Sequence, residues 1–195
     1  VPWDEVGGFV FEPGGSGSAF VQFPPRELVG AIIERIRANG GLVLVNEVTT
    51  GMGRTGEWFG FQHYDLRPDI VAIGKGLGNG YPVSAVAVTR AVADPLEEDG
   101  LHYAQSHQND PLACAVALKV IEELQEGGWI ARARHLGASL LKALRDLKET
   151  YPAVTDVRGR GMLLGLELES KEGLAAEDLY TMLLEHGYLV GYYAA

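Results

Sequence analysis

Residues 42–88 read LVLVNEVTTGMGRTGEWFGFQHYDLRPDIVAIGKGLGNGYPVSAVAV and contain two short apolar runs. One apolar run, Leu42–Val45, ends at the polar Asn46. A second, Ile70–Ile73, ends just before Lys75. Short apolar runs bounded by turn residues are typical of buried parallel strands. Open α/β sheets bind ligands beyond the carboxyl ends of such strands. The stretch therefore predicts an α/β fold with a ligand site at these two strand ends.

Lys75 lies between Gly74 and Gly76, directly after the second predicted strand. A lysine that is buried spends more time as the neutral amine, and the neutral amine is the form that attacks carbonyl groups. The position therefore predicts amine chemistry. A lone lysine at a strand end is more often a solvated charge, so the surrounding motifs have to decide between the two interpretations.

Composition narrows the function classes. The 195 residues carry a formal net charge of -10, and no basic stripe is visible, which argues against nucleic acid as a partner. The single cysteine, Cys114, excludes an intrachain disulfide and favours a reducing, cytoplasmic location. No apolar run is long enough to span a membrane, and no signal peptide precedes Val1, so we expect no membrane association.

Elements other than the two apolar runs Leu42–Val45 and Ile70–Ile73 are predicted from periodicity and from Gly and Pro boundaries. Further strands are expected at Val6–Phe11, Ser84–Val88, Val154–Arg158, Met162–Leu168 and Tyr188–Tyr193. Helices are expected at Arg26–Asn39, Pro111–Gln125, Ile130–Thr150 and Leu174–His186, with a surface turn at Asp94–Gly100 and a loop at His102–Asp110. The pattern changes near residue 150, which predicts one unit at 1–150 and the start of an α+β unit at 151–195. The chain opens within a strand-helix-strand pattern and stops within a predicted strand, so we expect it to be part of a longer protein.

Three separated motifs carry a family resemblance. They are NEVTTGMGRTG at 46–56, PDIVAIGKGLGNGYPVSAV at 68–86 and SHQNDPLACAVAL at 106–118. In this order and spacing they resemble the class III (omega) aminotransferases, which are pyridoxal-phosphate (PLP) enzymes of fold type I. The resemblance implies that 1–150 is the central part of the PLP-binding large domain, a mostly parallel sheet with helices. It implies that 151–195 begins the small C-terminal domain.

The resemblance also implies roles for individual residues. Lys75 matches the lysine that forms a Schiff base with the cofactor aldehyde and then moves a proton. Val48 matches the residue that packs on one face of the pyridine ring. Ser106 matches a hydroxyl that binds the cofactor phosphate of the neighbouring subunit, which implies a homodimer with sites at the interface.

Three positions depart from the family pattern. Asn46 stands where the family usually has aspartate, whose charge keeps the ring nitrogen protonated and strengthens the ring as an electron sink. Thr49 stands where glutamine often contacts the phenolic oxygen of the cofactor. Gly17 stands where members acting on ornithine-like or 4-aminobutyrate-like substrates often carry a gating glutamate, and its presence favours a pyruvate-like acceptor.

The resulting expectation is an aminotransferase that moves an amino group from a primary amine or amino acid to a small 2-oxo acid. Two alternatives stay open: an amino-acid racemase or epimerase of the same family, and a non-catalytic truncated homologue. Glu47 is expected to face the other side of its strand as a structural hydrogen-bonding residue. The histidines show no metal-ligand spacing, so no metal is expected.

Overall fold

The computed structural model describes residues 1–15, 21–169 and 175–193. Its strands are β1 (Gly8–Phe11), β2 (Leu42–Asn46), β3 (Ile70–Ile73), β4 (Ala85–Val88), β5 (Val154–Arg160) and β6 (Leu163–Leu168). Its α-helices are α1 (Arg26–Ala38), α2 (Arg90–Glu98), α3 (Pro111–Glu126), α4 (Trp129–Thr150) and α5 (Ala176–Glu185).

The first four strands form one sheet in the order β1-β2-β3-β4. β1 runs parallel to β2 and β2 parallel to β3, while β4 is antiparallel to β3. β1, α1 and β2 make a strand-helix-strand unit, as the sequence predicts, because two parallel neighbours need a crossover connection. The carboxyl ends of β2 and β3 therefore lie at the same edge of the sheet. The expected α/β fold with a mostly parallel sheet is confirmed.

The core lies between one face of this sheet and α1. Val43 and Val45 of β2 have no exposed surface, and they pack with Val29 and Ile36 of α1 and with Phe11 of β1. Residues two apart on a strand face the same side, so Asn46 lies on the opposite face from this core.

β5 and β6 form a separate antiparallel hairpin that packs against α4. Its turn is held closely, because a Cβ atom added at Gly137 of α4 would lie 2.0 Å from the carbonyl oxygen of Gly161. On the other side, the backbone N–H of Met162 donates to the Arg54 carbonyl over 2.9 Å. The hairpin thus touches the loop that follows β2. A domain boundary near residue 150 stays a prediction.

Two sequence predictions about elements are wrong. Residues 94–100 were expected to be a surface turn, but α2 runs from Arg90 to Glu98 with Pro95 inside it. Proline removes one intrahelical hydrogen bond, while Ala93, Leu96 and the two glutamates that follow are good helix formers and favour the helix on both sides of it. The strand expected at Tyr188–Tyr193 is not formed, since no strand of the described residues lies beside it to supply a pairing edge.

Candidate active site

Lys75 lies at the shared edge of the sheet. Its side-chain amine donates a hydrogen bond of 2.9 Å to the hydroxyl oxygen of Thr49, in the loop after β2. The two strand ends are therefore joined by a contact between predicted site residues. The Lys75 backbone has φ of +39°, a left-handed conformation that a non-glycine residue adopts at a cost of roughly 1–3 kcal/mol. Such a conformation often marks a functional position.

The side chain of Lys75 is exposed in this chain. The expectation that Lys75 is buried is therefore wrong for the described residues. β3 is only half-buried along its length, so it does not enclose the residue that follows it. Any enclosure of Lys75 has to come from atoms beyond the described residues.

Asn46 is held at both ends of its side-chain amide. Its Nδ2 donates to Oε1 of Glu12 over 2.6 Å, and its Oδ1 accepts the backbone N–H of Val48 over 3.1 Å. The partners fix which way the amide points, because a flipped amide would turn its NH₂ group toward the N–H donor of Val48. Asn46 is thus an oriented group at the strand end.

Glu47 points to the other side of β2, as predicted, and is fully buried. Its carboxylate accepts the Thr50 hydroxyl at 2.7 Å and the backbone N–H groups of Gly60 and Phe61, each at 2.8 Å. Burial raises the pKa of Glu47, and these donors oppose that shift. Glu47 therefore connects the loop containing Thr49 to the backbone at Gly60 and Phe61.

Val48 lies beside the lysine segment. A Cβ atom added at Gly74 would come within 3.5 Å of both Val48 methyl groups. The methyls therefore face the backbone just before Lys75. On the far side, a Cβ atom at Gly76 would lie 3.0 Å from Cβ of Met52. A side chain at Gly76 would crowd Met52, whereas one at Gly74 would meet Val48 at ordinary contact distance.

Among the described residues, one sequence-predicted position is not brought to this site. Ser106 begins an exposed turn, and no contact among the described residues links it to Lys75. Its assignment to a neighbouring subunit's site stays a prediction. Gly17 lies outside the described residues.

Glu12 is the site residue that the sequence did not single out. Its contact with Asn46 follows from strand register, since Phe11 pairs with Val45 and the next residues of both strands come side by side. The signal was present in the Glu12-Pro13 pair at the end of β1. Reading it required knowing that β1 and β2 are neighbours and in which register.

Among the described residues, no group of three or more His, Cys, Asp or Glu side chains is placed to hold a metal ion. Within the same residues, no helix has both the length and the apolar character needed to cross a membrane.

The profile of the family described as aminotransferase class-III matches residues 2–193. The chain belongs to the class III aminotransferase family. The resemblance seen in the three motifs is confirmed over nearly the whole chain.

Relatives of this chain differ in their named activities. An uncharacterised aminotransferase of Bacillus subtilis is 35% identical over 96% of this chain and 44% of its own length. A leucine/methionine racemase of Thermococcus litoralis is 38% identical over 80% of this chain and 36% of its own length. The chain thus spans less than half the length of these relatives.

A solved ornithine aminotransferase of Toxoplasma gondii is 34% identical and has a TM-score of 0.85. The match covers 96% of this chain and 44% of the Toxoplasma chain. The Toxoplasma structure shows partial occupancy of PLP at its active site. These findings support PLP as the cofactor of the family to which this chain belongs.

The residues at the strand ends fit that cofactor by their chemistry. Lys75 offers an amine to an aldehyde, and Asn46 offers an oriented amide to a ring nitrogen. Val48 offers methyl groups next to the lysine segment. An amine, a polar anchor and an apolar side chain together match an aromatic aldehyde with a ring nitrogen.

Proposed function

We propose that the complete protein is a PLP-dependent aminotransferase that moves an amino group from a primary amine or amino acid to a small 2-oxo acid such as pyruvate. The single observation that carries the proposal is the Lys75–Thr49 hydrogen bond of 2.9 Å at the ends of two adjacent parallel strands. Family membership supports the reaction class.

Each residue has a distinct task under this proposal. When bound, PLP supplies an aldehyde that reacts with amines and a ring that withdraws electrons. Lys75 would hold the cofactor through its amine, which condenses with an aldehyde by releasing water, and the same amine would take up and return a proton. The Thr49 hydroxyl accepts from Lys75 and holds the amine at the strand ends. Val48 would pack on the ring, and Asn46 would hydrogen-bond the ring nitrogen.

Two further parts of the proposal rest on the sequence. Ser106 binds the cofactor phosphate of the neighbouring subunit, so the enzyme works as a homodimer. Gly17 in place of a gating glutamate supports a small acceptor over 2-oxoglutarate.

Racemisation is the second candidate, and Asn46 favours it. An amide carries no charge, so it leaves the ring a weaker electron sink than an aspartate would. A racemase needs only to return a proton to the same carbon. The Thermococcus relative is named for that activity.

The test uses the complete protein incubated with PLP, reduced with borohydride and digested for mass spectrometry. We expect cofactor mass on the peptide containing Lys75, and its loss in Lys75→Ala. Lys142→Ala, which removes an exposed lysine on α4, is the control and should keep the mass. Absence of cofactor mass on Lys75 in the unmodified protein would overturn the proposal. Amino-group transfer to pyruvate, compared with racemisation of L-alanine, then separates the two candidates.

A further inference from the structure

The carboxylate of Glu12 is hydrogen-bonded directly to the side-chain amide of Asn46. Oε1 of Glu12 lies 2.6 Å from Nδ2 of Asn46, at the short end of the range for N–H···O bonds. Hydrogen bonds to an ionised acceptor are shorter and stronger than neutral ones. The contact joins the ends of β1 and β2 through their parallel register.

Both polar side-chain atoms of Asn46 make a hydrogen bond, and Oδ1 can accept another one. One hydrogen of Nδ2 goes to Glu12, and one lone pair of Oδ1 accepts from Val48. An amide oxygen has two lone pairs, so Oδ1 can accept a second hydrogen bond. A carboxylate that draws on the N–H of an amide polarises the amide and makes its oxygen a stronger acceptor.

We propose that Glu12 is a positioning residue that fixes Asn46 and supplies, one hydrogen bond away, the negative charge that the amide lacks. In this arrangement Asn46 presents Oδ1 to a protonated ring nitrogen of the cofactor. The proposal rests on the proposed PLP function. Under this proposal Glu12 and Asn46 together anchor the ring nitrogen. The opposite arrangement would have the Asn46 amide donate a hydrogen bond to an unprotonated ring nitrogen.

The negative charge of Glu12 can act on a ring nitrogen on the other side of the Asn46 amide. Two unit charges separated by about 5 Å interact appreciably at the effective dielectric of a protein, and much less in bulk water. The Glu12 side chain is half-buried, so solvent screens it incompletely. A carboxylate behind the amide therefore favours the protonated form of a ring nitrogen in front of it.

The experiment is ¹⁵N NMR of the complete protein loaded with PLP labelled at the ring nitrogen, at pH 7.5. The ¹⁵N shift separates protonated from unprotonated nitrogen and does not depend on turnover. We expect the protonated form in the unmodified protein. Glu12→Gln keeps an oxygen acceptor for Asn46 but removes the charge, so the shift should move to the unprotonated value. Glu34→Gln, an exposed change on α1, is the matched control and should leave it in place.

The double variant Glu12→Gln with Asn46→Asp moves the carboxylate from position 12 to position 46. We expect it to restore the protonated form, a rescue that a purely structural role of Glu12 would not produce. If Glu12→Gln takes up no cofactor, the unmodified protein and the double variant still decide the matter. An unprotonated nitrogen in either, or an unchanged shift in a loaded Glu12→Gln protein, overturns the proposal. Absence of cofactor on Lys75 would instead count against the proposed function.

Discussion

Asn46 and Glu47 are neighbours in sequence whose side chains serve opposite sides of the strand end. Glu47 turns inward, where three donors surround it. Asn46 turns to the open side and meets Glu12. The alternation of a strand separates the two roles, so a shift of register by one residue would bury the amide and expose the carboxylate. The site therefore depends on β2 keeping its register against β1.

His63 gives a prediction at the level of one side chain. It is half-buried, with Nε2 placed 3.1 Å from the Thr55 hydroxyl oxygen. Burial lowers the pKa of His63, and the positive charge of Arg160 lowers it further, while Glu57 opposes the shift. The unfolded chain then binds more protons than the folded one between the lowered pKa and the ordinary value of about 6.5. Stability is fully present above that ordinary value and is lost as pH falls through the folded pKa.

The measurement is urea unfolding of the complete protein at pH 7.5, 6.5 and 5.5. We expect His63→Gln to lose less stability than the unmodified protein as pH falls, because glutamine does not titrate. Glutamine also keeps a hydrogen-bonding group for Thr55. His135→Gln, at an exposed site on α4, serves as the control and should follow the unmodified protein. Equal pH dependence in all three proteins would contradict the prediction.

Single residues were predictable from the sequence where a motif fixes them locally. Lys75 was singled out by the three motifs together, and the structure places its amine on Thr49, while its catalytic role stays a prediction. Glu12 was not predictable as a partner of Asn46, since the contact depends on which strands are neighbours and in what register. The exposure of Lys75 was also missed, because burial depends on packing from distant parts of a chain.

Elements were predictable where periodicity is long or boundaries are strong. α3 begins at Pro111, as predicted, and the Asp110 carboxylate caps it by accepting the N–H groups of Leu112 and Ala113. α2 was missed because its second half is polar and was expected to be a surface turn. The helix is short, and neighbouring residues decide its formation.

Replacing each of two helix glycines by alanine should change the free energy of unfolding in opposite directions. Gly137 in α4 touches the turn of the β5–β6 hairpin, and an added Cβ would lie 2.0 Å from the Gly161 oxygen. Gly30 in α1 has no atom within 4 Å of an added Cβ. Alanine in a helix interior is favoured over glycine by roughly 0.5–1 kcal/mol. Crowding of a packed contact costs about 1–3 kcal/mol.

We therefore expect Gly30→Ala to raise the free energy of unfolding of the complete protein by about 0.5–1 kcal/mol. Gly137→Ala should lower it by about 1–3 kcal/mol, because the hairpin must move away from α4. Urea titration of both variants alongside the unmodified protein measures the difference. A stabilised Gly137→Ala protein would show that the hairpin turn does not pack as described.

Among the residues that the structure describes, the main sheet has one face packed on α1 and one face with exposed apolar side chains. The strand register lines up Val10, Leu44, Ile70 and Val88 in one row across all four strands. Val10 is 66% exposed and Val88 45% exposed, although both are apolar. Sheets of this α/β type are ordinarily covered by helices on both faces. Asn46 belongs to this open side, so the site lies on the face that these residues do not enclose.

The 195 residues expressed by themselves should behave differently from the complete protein. An exposed Lys75 and an uncovered apolar face provide little enclosure for a cofactor, and contiguous apolar surface promotes association. We expect the isolated chain to retain little borohydride-trapped cofactor, to transfer no amino groups and to self-associate with rising concentration in sedimentation velocity. Val86→Lys, which places a charge on an apolar residue that is 68% exposed, should weaken that association without restoring cofactor capture. A monomeric chain that binds PLP stoichiometrically at Lys75 and releases it to an amino donor would show that these residues form a sufficient active site.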